Sequence, residues 1–431
     1  MKPKYLISSI AASVGLGISL VTIVRANTAT ANDVVVKWQE GDNSINIQKA
    51  IDSGNATVTI PNVGKPWIVG QRIRARQSNQ KIIFEPGVLV LAQKGAFQKV
   101  YDSMLIVQAD DVTISGYDAT FQMQRDDYLN PKLYERSEFR HNLVVRGSDN
   151  FVVEGLTLKD AGGDGLFISH GNKDKDQDIP ERTFSSGIIR DIVTDNNYRL
   201  GLSIMSAKDL LIENSTFKNT SGTRPASGVD IEPDHEWQKL VDIKFKNNKY
   251  INNDRNGVQI GLGKYRGDNT TDISIAFDGC EIIGNHEVGI KINTHKPEFY
   301  DGAQGEISFK DCDIKGSGEN GVFIKSDHIS PEETIKIAFE NIKVSNTGNK
   351  TDESFPVTLF STKKPGMFSN IDFGENFVIE DDVNRPGLFT SNFTRKQGLA
   401  NVHGIVKINN PHKQPSFLSD NLENVTLEII E

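Results

Sequence analysis

From residue 165 onward the chain repeats one short pattern, in which apolar and polar residues alternate behind a glycine. It reads DGLFIS around Gly165, LGLSIM around Gly201, SGVDIE around Gly228, NGVQIG around Gly257, VGIKIN around Gly289 and NGVFIK around Gly321. Alternation with a period of two is the mark of a strand with one buried face. The glycines are separated by 36, 27, 29, 32 and 32 residues. Periods of that size mark stacked repeats, none of which can bury its apolar face alone. A second strand lies roughly midway in each repeat, as in KDLLIENSTF, LVDIKFKNNKY, DISIAFDGCEI, EISFKDCDI and TIKIAFENIKV. No segment between them has the length and period of a helix, and Asn, Asp and Gly supply the turns. The pattern predicts an all-β fold, a single-stranded right-handed parallel β-helix.

The ends differ from the middle. Residues 43–54 predict a short amphipathic helix stopped by Gly54, followed by a first strand at ATVTIP, and together these cap the open end of the stack. At the extreme N-terminus Lys2 and Lys4 precede an apolar run from Tyr5 to Val24 and a small-residue Ala29-Thr30-Ala31 site. That is the layout of a signal peptide, with an uncleaved anchor as the rival reading. The expected organisation is a signal peptide over 1–31, a cap and first strand over 32–66, the β-helix over 67–363, and a weaker coil with an irregular tail over 364–431. The expected location is outside the cytoplasm (periplasmic, cell-surface or extracellular), with no membrane partner once the signal is removed.

Aligning the glycines maps one sheet face. Its first outward column runs Phe167, Ser203, Asp230, Gln259, Lys291, Phe323, and its second runs Ser169, Met205, Glu232, Gly261, Asn293, Lys325. Vertical neighbours are expected about 4.8 Å apart, and Asp230 and Glu232 roughly 6.5 to 7 Å apart at Cα. Cys280 and Cys312 fall 32 residues apart, at one position of successive coils. Two buried thiols and a disulfide both fit that register.

Chemistry gathers in the middle coils. Two carboxylates, two lysines, a glutamine and an asparagine share one face, with Tyr198, Arg199, Asp254, Arg255 and His286 along the edge before it. His170, His295 and His328 recur just after the strand. The long polar segments HGNKDKDQDIPER, GLGKYRGDNTT and THKPEFYDGAQ are expected to wall a groove along that edge. Asp230, between Ser203 and Gln259, is expected to stay ionised, and Glu232, between Met205 and an open gap above Gly261, to be biased upward in pKa. Such a pair suits acid and base roles in glycosidic cleavage, with room for a sugar ring over Gly261. Tyr198, Arg199, Ser203, Arg255, Gln259, Asn293, Lys325 and His170 are the expected substrate contacts. Asp230, Glu232 and Asp234 are clustered oxygen ligands that would suit Ca²⁺, and no other cofactor is expected.

Composition narrows the partner. The chain has 431 residues and a formal charge of 48 − 57 = −9, which argues against nucleic acid. An acidic protein can still bind an anionic polymer in a locally basic groove. A monomer acting on a polysaccharide is expected.

The stretches DAGGDGLFIS, DNNYRLGLSI and NTSGTRPASGVDIEPD, with the repeats around them, resemble the pectate-lyase-like superfamily of secreted right-handed β-helix proteins. The resemblance covers nearly the whole chain beyond the leader. It implies a polysaccharide lyase, glycosidase or epimerase with its substrate groove on the parallel-sheet face. GVDIEPDHE and NDRNGVQI are similar to the alginate C5-epimerase pattern G-F-D-P-H-E followed by N-D-R-H-G-F. Asp230 matches the aspartate of that pattern. Glu232 stands where its histidine would be, Ser227 replaces a tyrosine, and Gly261 falls where a further aspartate is expected. Calcium-dependent β-helix lyases such as chondroitinase B use a lysine base, a role Lys291 would fill from a different coil. Outward acids two apart also resemble iota-carrageenase-like hydrolases, in reversed order. The expected function is glycosidic cleavage with Asp230 and Glu232 at its centre. A calcium-dependent lyase or epimerase using Lys291 and a non-catalytic glycan-binding β-helix are the alternatives.

Overall fold

The computed structural model describes residues 32–171, 182–264, 272–294, 303–326, 335–350, 354–361, 367–392, 398–416, 418 and 421–431. The proposed leader lies outside the described residues, as do His295, His328 and most of the three long polar segments.

The coils form a right-handed parallel β-helix. Eleven strands stack into one parallel sheet, here called the front sheet, which runs from Ile73–Ala75 to Leu388–Asn392. Its register follows the glycine alignment: Phe167 pairs Ser203, Ser203 pairs Asp230, Asp230 pairs Gln259, Gln259 pairs Lys291 and Lys291 pairs Phe323. Beneath them Leu166, Ile168, Leu202, Ile204, Val229, Ile231, Val258, Ile260, Ile290, Ile292, Val322 and Ile324 are fully buried. Ile231→Ala is therefore expected to cost roughly 2 to 5 kcal/mol through lost apolar burial and the cavity left behind. Denaturant unfolding checks it, and a change within about 0.5 kcal/mol would mean the faces are inverted.

The segment expected as one second strand is two. In the coil after Leu200–Ile204 the chain forms Ala207–Glu213, turns at Asn214, forms Thr216–Lys218 and turns again at Asn219. The first turn is a left-handed position in every neighbouring coil: Asp191, Asn214, Asn247, Gly279, Asp311 and Asn341 have φ between 52° and 69°. Asn, Asp and Gly tolerate that conformation best, which explains why those residues punctuate the repeats. The result is a three-sided coil. Its interior holds a column of rings, Phe245, Phe277, Phe309, Phe339 and Phe373, with successive centroids 4.3, 4.7, 5.7 and 5.8 Å apart. Buried asparagines satisfy the corner backbone: Asn253 and Asn285 accept from the backbone N–H groups of Thr220 and Asn253, both at 3.1 Å.

The helix Ser44–Asp52 covers the N-terminal opening, with Ile47 and Ile51 fully buried. At the other end the expected irregular tail is replaced by further coils. The strands Gly398–Asn409 and Asn421–Ile430 pair in parallel along their length, and Val402, Val406 and Ile408 keep an apolar face inward after the glycine signature has faded. Cys280 and Cys312 are buried free thiols on adjacent rungs.

One excursion breaks the stack. Residues 123–142, between Thr113–Gln122 and Leu143–Arg146, leave the coil and fold over the edge of the front sheet. Arg140 is fully buried there and pins the loop, donating to the carbonyls of Phe97 (2.7 Å), Gln98 (2.8 Å) and Glu135 (2.5 Å). The sequence reading placed no wall on this side.

Candidate functional site

The front sheet positions the site because alternate residues of each rung must point away from the core. Asp230 is nevertheless only 1% exposed. Asn256 donates to Gln259 Oε1 at 2.8 Å, which turns the Gln259 amide toward Asp230, where it hydrogen-bonds the carboxyl. The other carboxyl oxygen, Oδ1, is buried without a hydrogen-bond partner. Burial and the neighbouring charge of Glu232 push the Asp230 carboxyl well above the usual range, against the pull of Arg199. This corrects the expectation for Asp230, which was to stay ionised: its environment favours the protonated form. Hydrogen-bonding neighbours do not compensate for complete removal from water.

Glu232 is exposed, and its side chain leans across the next rung. A Cβ built on Gly261 would meet Glu232 Cγ at 3.3 Å and its carboxyl at 3.4 Å. The gap expected to admit a sugar ring is thus occupied by the glutamate itself. Asp234 is exposed and pairs with Lys264 at 2.7 Å. Among the described residues no three His, Cys, Asp or Glu side chains are gathered closely enough to hold an ion.

A buried polar cluster lies beside this pair and was not foreseen. Arg199 packs between Asp164, at 3.2 Å, and Glu138 of the excursion, at 3.8 Å, with its guanidinium 5.7 Å from the Phe139 ring. Burial works against the Arg199 charge, but Asp164, Asp230 and Glu138 outweigh it and hold the group above its ordinary value. Burial raises Asp164 to about 7, with Arg199 pulling the other way. His141 lies one rung below Asp164. Its Nδ1 accepts the Asp164 backbone N–H at 2.9 Å, so that nitrogen carries no proton. Burial and the charges of Arg199 and Arg146 hold the ring neutral, and the 3.3 Å approach to the Asp164 carboxyl is not an ion pair. The His141 ring stacks on Phe167 at 4.8 Å. Asp164 stands directly before Gly165, so extending the glycine alignment one residue toward the N-terminus would have exposed it. The excursion carries no repeat, and only its tertiary packing brings Glu138 and Phe139 here.

The remaining expected contacts divide by location. Ser203 is 1% exposed, with its Oγ 3.8 Å from Met205 Sδ, so it is floor rather than surface. Lys291 is half-buried; burial, then the charge of Arg255, depress its pKa. Asn293 and Lys325 follow one another up the second column, both half-buried. Arg255 pairs with Glu287 at 2.8 Å on the same edge as Arg199. Tyr198 lines a cavity of about 260 Å³ with Arg125, Tyr128 and Arg136, and a second of about 290 Å³ with Glu138 and Phe139 of the excursion. His170 sits on the opposite edge, bonded to Gln238 at 3.0 Å and edge-on to Trp237, and burial lowers it to about 4. The front face therefore joins Asp230, Glu232, Gln259 and Arg199 at its centre, with Tyr198 beside the excursion on the Arg199 edge and His170 on the opposite edge.

The profile of the family described as "Right handed beta helix region" matches residues 135–303. The uncharacterized protein YclG of Bacillus subtilis (strain 168) is 24% identical over 226 residues, which span 48% of this chain and 38% of that protein, well under two thirds of its length. The mannuronan C-5 epimerase AlgE6 A-module of Azotobacter vinelandii superposes with a TM-score of 0.61 at 14% identity, over 90% of this chain and 95% of that one. The polygalacturonase of Erwinia carotovora ssp. carotovora superposes with a TM-score of 0.51 at 13% identity, over 91% of this chain and 96% of that one. Among the described residues no helix is long and apolar enough to cross a membrane.

Proposed function

For this chain, whose fold is a right-handed parallel β-helix, we propose an exported protein that cleaves glycosidic bonds of a polysaccharide on the front sheet. The observation that carries the reading is the paired carboxyls on one strand: a buried Asp230 biased toward its protonated form beside an exposed Glu232. In this scheme Asp230 supplies the proton to the departing sugar oxygen, and Glu232 takes one from the attacking water. Asp230 is closed off in the free protein, so neighbouring side chains must part as the sugar settles. Arg199 and Gln259 position the carboxyl. The named activities of the epimerase and polygalacturonase of the same fold support a carbohydrate substrate.

Lys291 favours a second reading, β-elimination on a uronic-acid polymer. Burial and the charge of Arg255 lower the Lys291 pKa and so favour its neutral, proton-accepting form relative to a free lysine, with Ca²⁺ as the metal such lyases use. The products separate the two. A panel of neutral and uronic-acid polymers, with and without chelator, is expected to give new reducing ends without near-ultraviolet absorbance. Unsaturated, absorbing ends that vanish with chelator would replace hydrolysis by elimination. Retention of the protein in polymer gels with no new ends of either kind would leave a glycan-binding β-helix.

A further inference from the structure

The chain has two cysteines in 431 residues, and the fold sets one directly over the other. Cys280 and Cys312 each follow a left-handed corner residue, Gly279 (φ 69°) and Asp311 (φ 52°), at the same point of successive coils. The backbone N–H of Asp313 donates to the Cys280 carbonyl at 2.9 Å, which holds the two coils in register there. The coils on either side carry Asn248 and Ile342 in this column, so cysteine is not the residue that the position requires. Both side chains are 2% exposed and belong to the core. Stacked Cα atoms lie about 4.8 Å apart, inside the roughly 4.4 to 6.8 Å that a disulfide spans. The structure holds both residues as thiols, and the sulfurs are already neighbours. The Cys280 thiol is hydrogen-bonded to Cys312, while Cys312 Sγ donates to the Lys310 carbonyl at 3.3 Å. A third group converges on them. The Tyr250 hydroxyl, one rung below, is buried without a hydrogen-bond partner and lies where both cysteines act on it. Bonded sulfurs carry no S–H and can only accept, which is what an unpaired O–H donor lacks.

We propose that Cys280 and Cys312 are joined by a disulfide as the exported chain folds. The inference rests on export and not on the chemistry of the front sheet. The hydrogen bond to Cys312, then burial, push the Cys280 thiol up, so thiolate is scarce once the core has closed. The bond therefore forms while the two coils are still closing. One cysteine, as its thiolate, attacks the disulfide of a thiol–disulfide oxidoreductase, and the other displaces the mixed disulfide. The two thiols lose two protons and two electrons, and the oxidant leaves as a dithiol. The bond closes one complete coil, since the cysteines are 32 residues apart. That coil carries the strand Ile290–Asn293, with Lys291 and Asn293 on the front sheet. Each coil of a solenoid is held only by its neighbours, so opening runs from coil to coil. Leu422 and Ile430 are 54% and 44% exposed on the last described strand. Opening that starts there meets the bond before it reaches Asp230.

The test expresses the full chain, leader included, quenches the culture in acid and alkylates the thiols in denaturant. In exported protein Cys280 and Cys312 are expected to resist alkylation until a reductant is added, and peptide mass spectrometry is expected to recover them linked. Exported protein with both thiols alkylated at once overturns the proposal. A chain that stays in the cytoplasm overturns export, and refolding then decides the bond by itself. For that arm the chain is reduced, unfolded in urea and returned to buffer containing reduced and oxidised glutathione. Bond formation during refolding, with none over hours when the same mixture meets the folded reduced chain, upholds the proposal. Two thiols left in the refolded chain overturn it, and a folded chain that oxidises as fast as a refolding one overturns the coupling to folding. The bonded form is expected to unfold in urea roughly tenfold more slowly than the reduced form, Cys280→Ala or Cys312→Ala. Limited proteolysis is expected to cut the bonded form only beyond Cys312. Equal unfolding rates, with cuts running below Cys280 in both forms, overturn the bond as a stop to opening.

Discussion

Asp230→Asn is expected to lower turnover on the cleaved polymer by roughly 10²- to 10⁴-fold, because the amide keeps the shape of the carboxyl and removes its proton donor. Polymer affinity should hold. Stability at neutral pH should hold or rise, since a carboxyl pushed well above its ordinary range by burial makes folding cost the uptake of a proton, and the amide removes that cost. Glu232→Gln should lose turnover comparably, with no stability gain, because its side chain is exposed. Initial rates and melting curves of the two variants check the pattern. Full activity in both would sink the carboxyl pair and shift attention to Arg199 and Asp164. Lost affinity in both, with cleavage abolished by Lys291→Met, would favour elimination.

The second large effect concerns pH. Asp164 is fully buried and titrates at about 7 in the folded chain, against 3.8 when unperturbed. Between those values the unfolded chain has released the proton and the folded chain has not. Stability from this group is therefore greatest below about pH 4, falls as pH rises, and levels off above about 7, a total on the order of 4 kcal/mol. His141 and His170 oppose it. Their folded pKa values are depressed, so stability is lost as pH falls below about 6.5, where the unfolded rings take up protons that the buried rings refuse. The wild-type profile is flattened by this opposition, and the variant isolates one side of it. The stability difference between Asp164→Asn and wild type should move in the variant's favour by several kcal/mol from pH 4 to pH 7.5. Urea unfolding at four or five pH values reads it. A constant difference would show that Asp164 stays ionised with Arg199 across the whole range.

How much of this was legible in the chain follows from the kind of interaction involved. Period-two alternation behind a recurring glycine is a local signal, and stacking converts it directly into register. The columns Phe167 to Phe323 and Ser169 to Lys325 could be written down from spacing alone, and so could the helical cap. The strand pattern also placed Asp230 and Glu232 on the outer face. It could not say which carboxyl would be taken out of water, because burial depends on what neighbouring coils and the excursion lay over each position. Glu232 fills the space above Gly261 because a flexible side chain takes the nearest vacancy, which no column of letters records. Glu138, Phe139 and Arg140 lie in a segment with no repeat, held over the groove by three carbonyls that accept from one buried guanidinium. Sequence by itself determined the solenoid and the face that carries the chemistry, because both follow from periodicity. Tertiary structure decided the charge states and the walls of the groove, because desolvation and long-range packing are set by residues far apart in the chain.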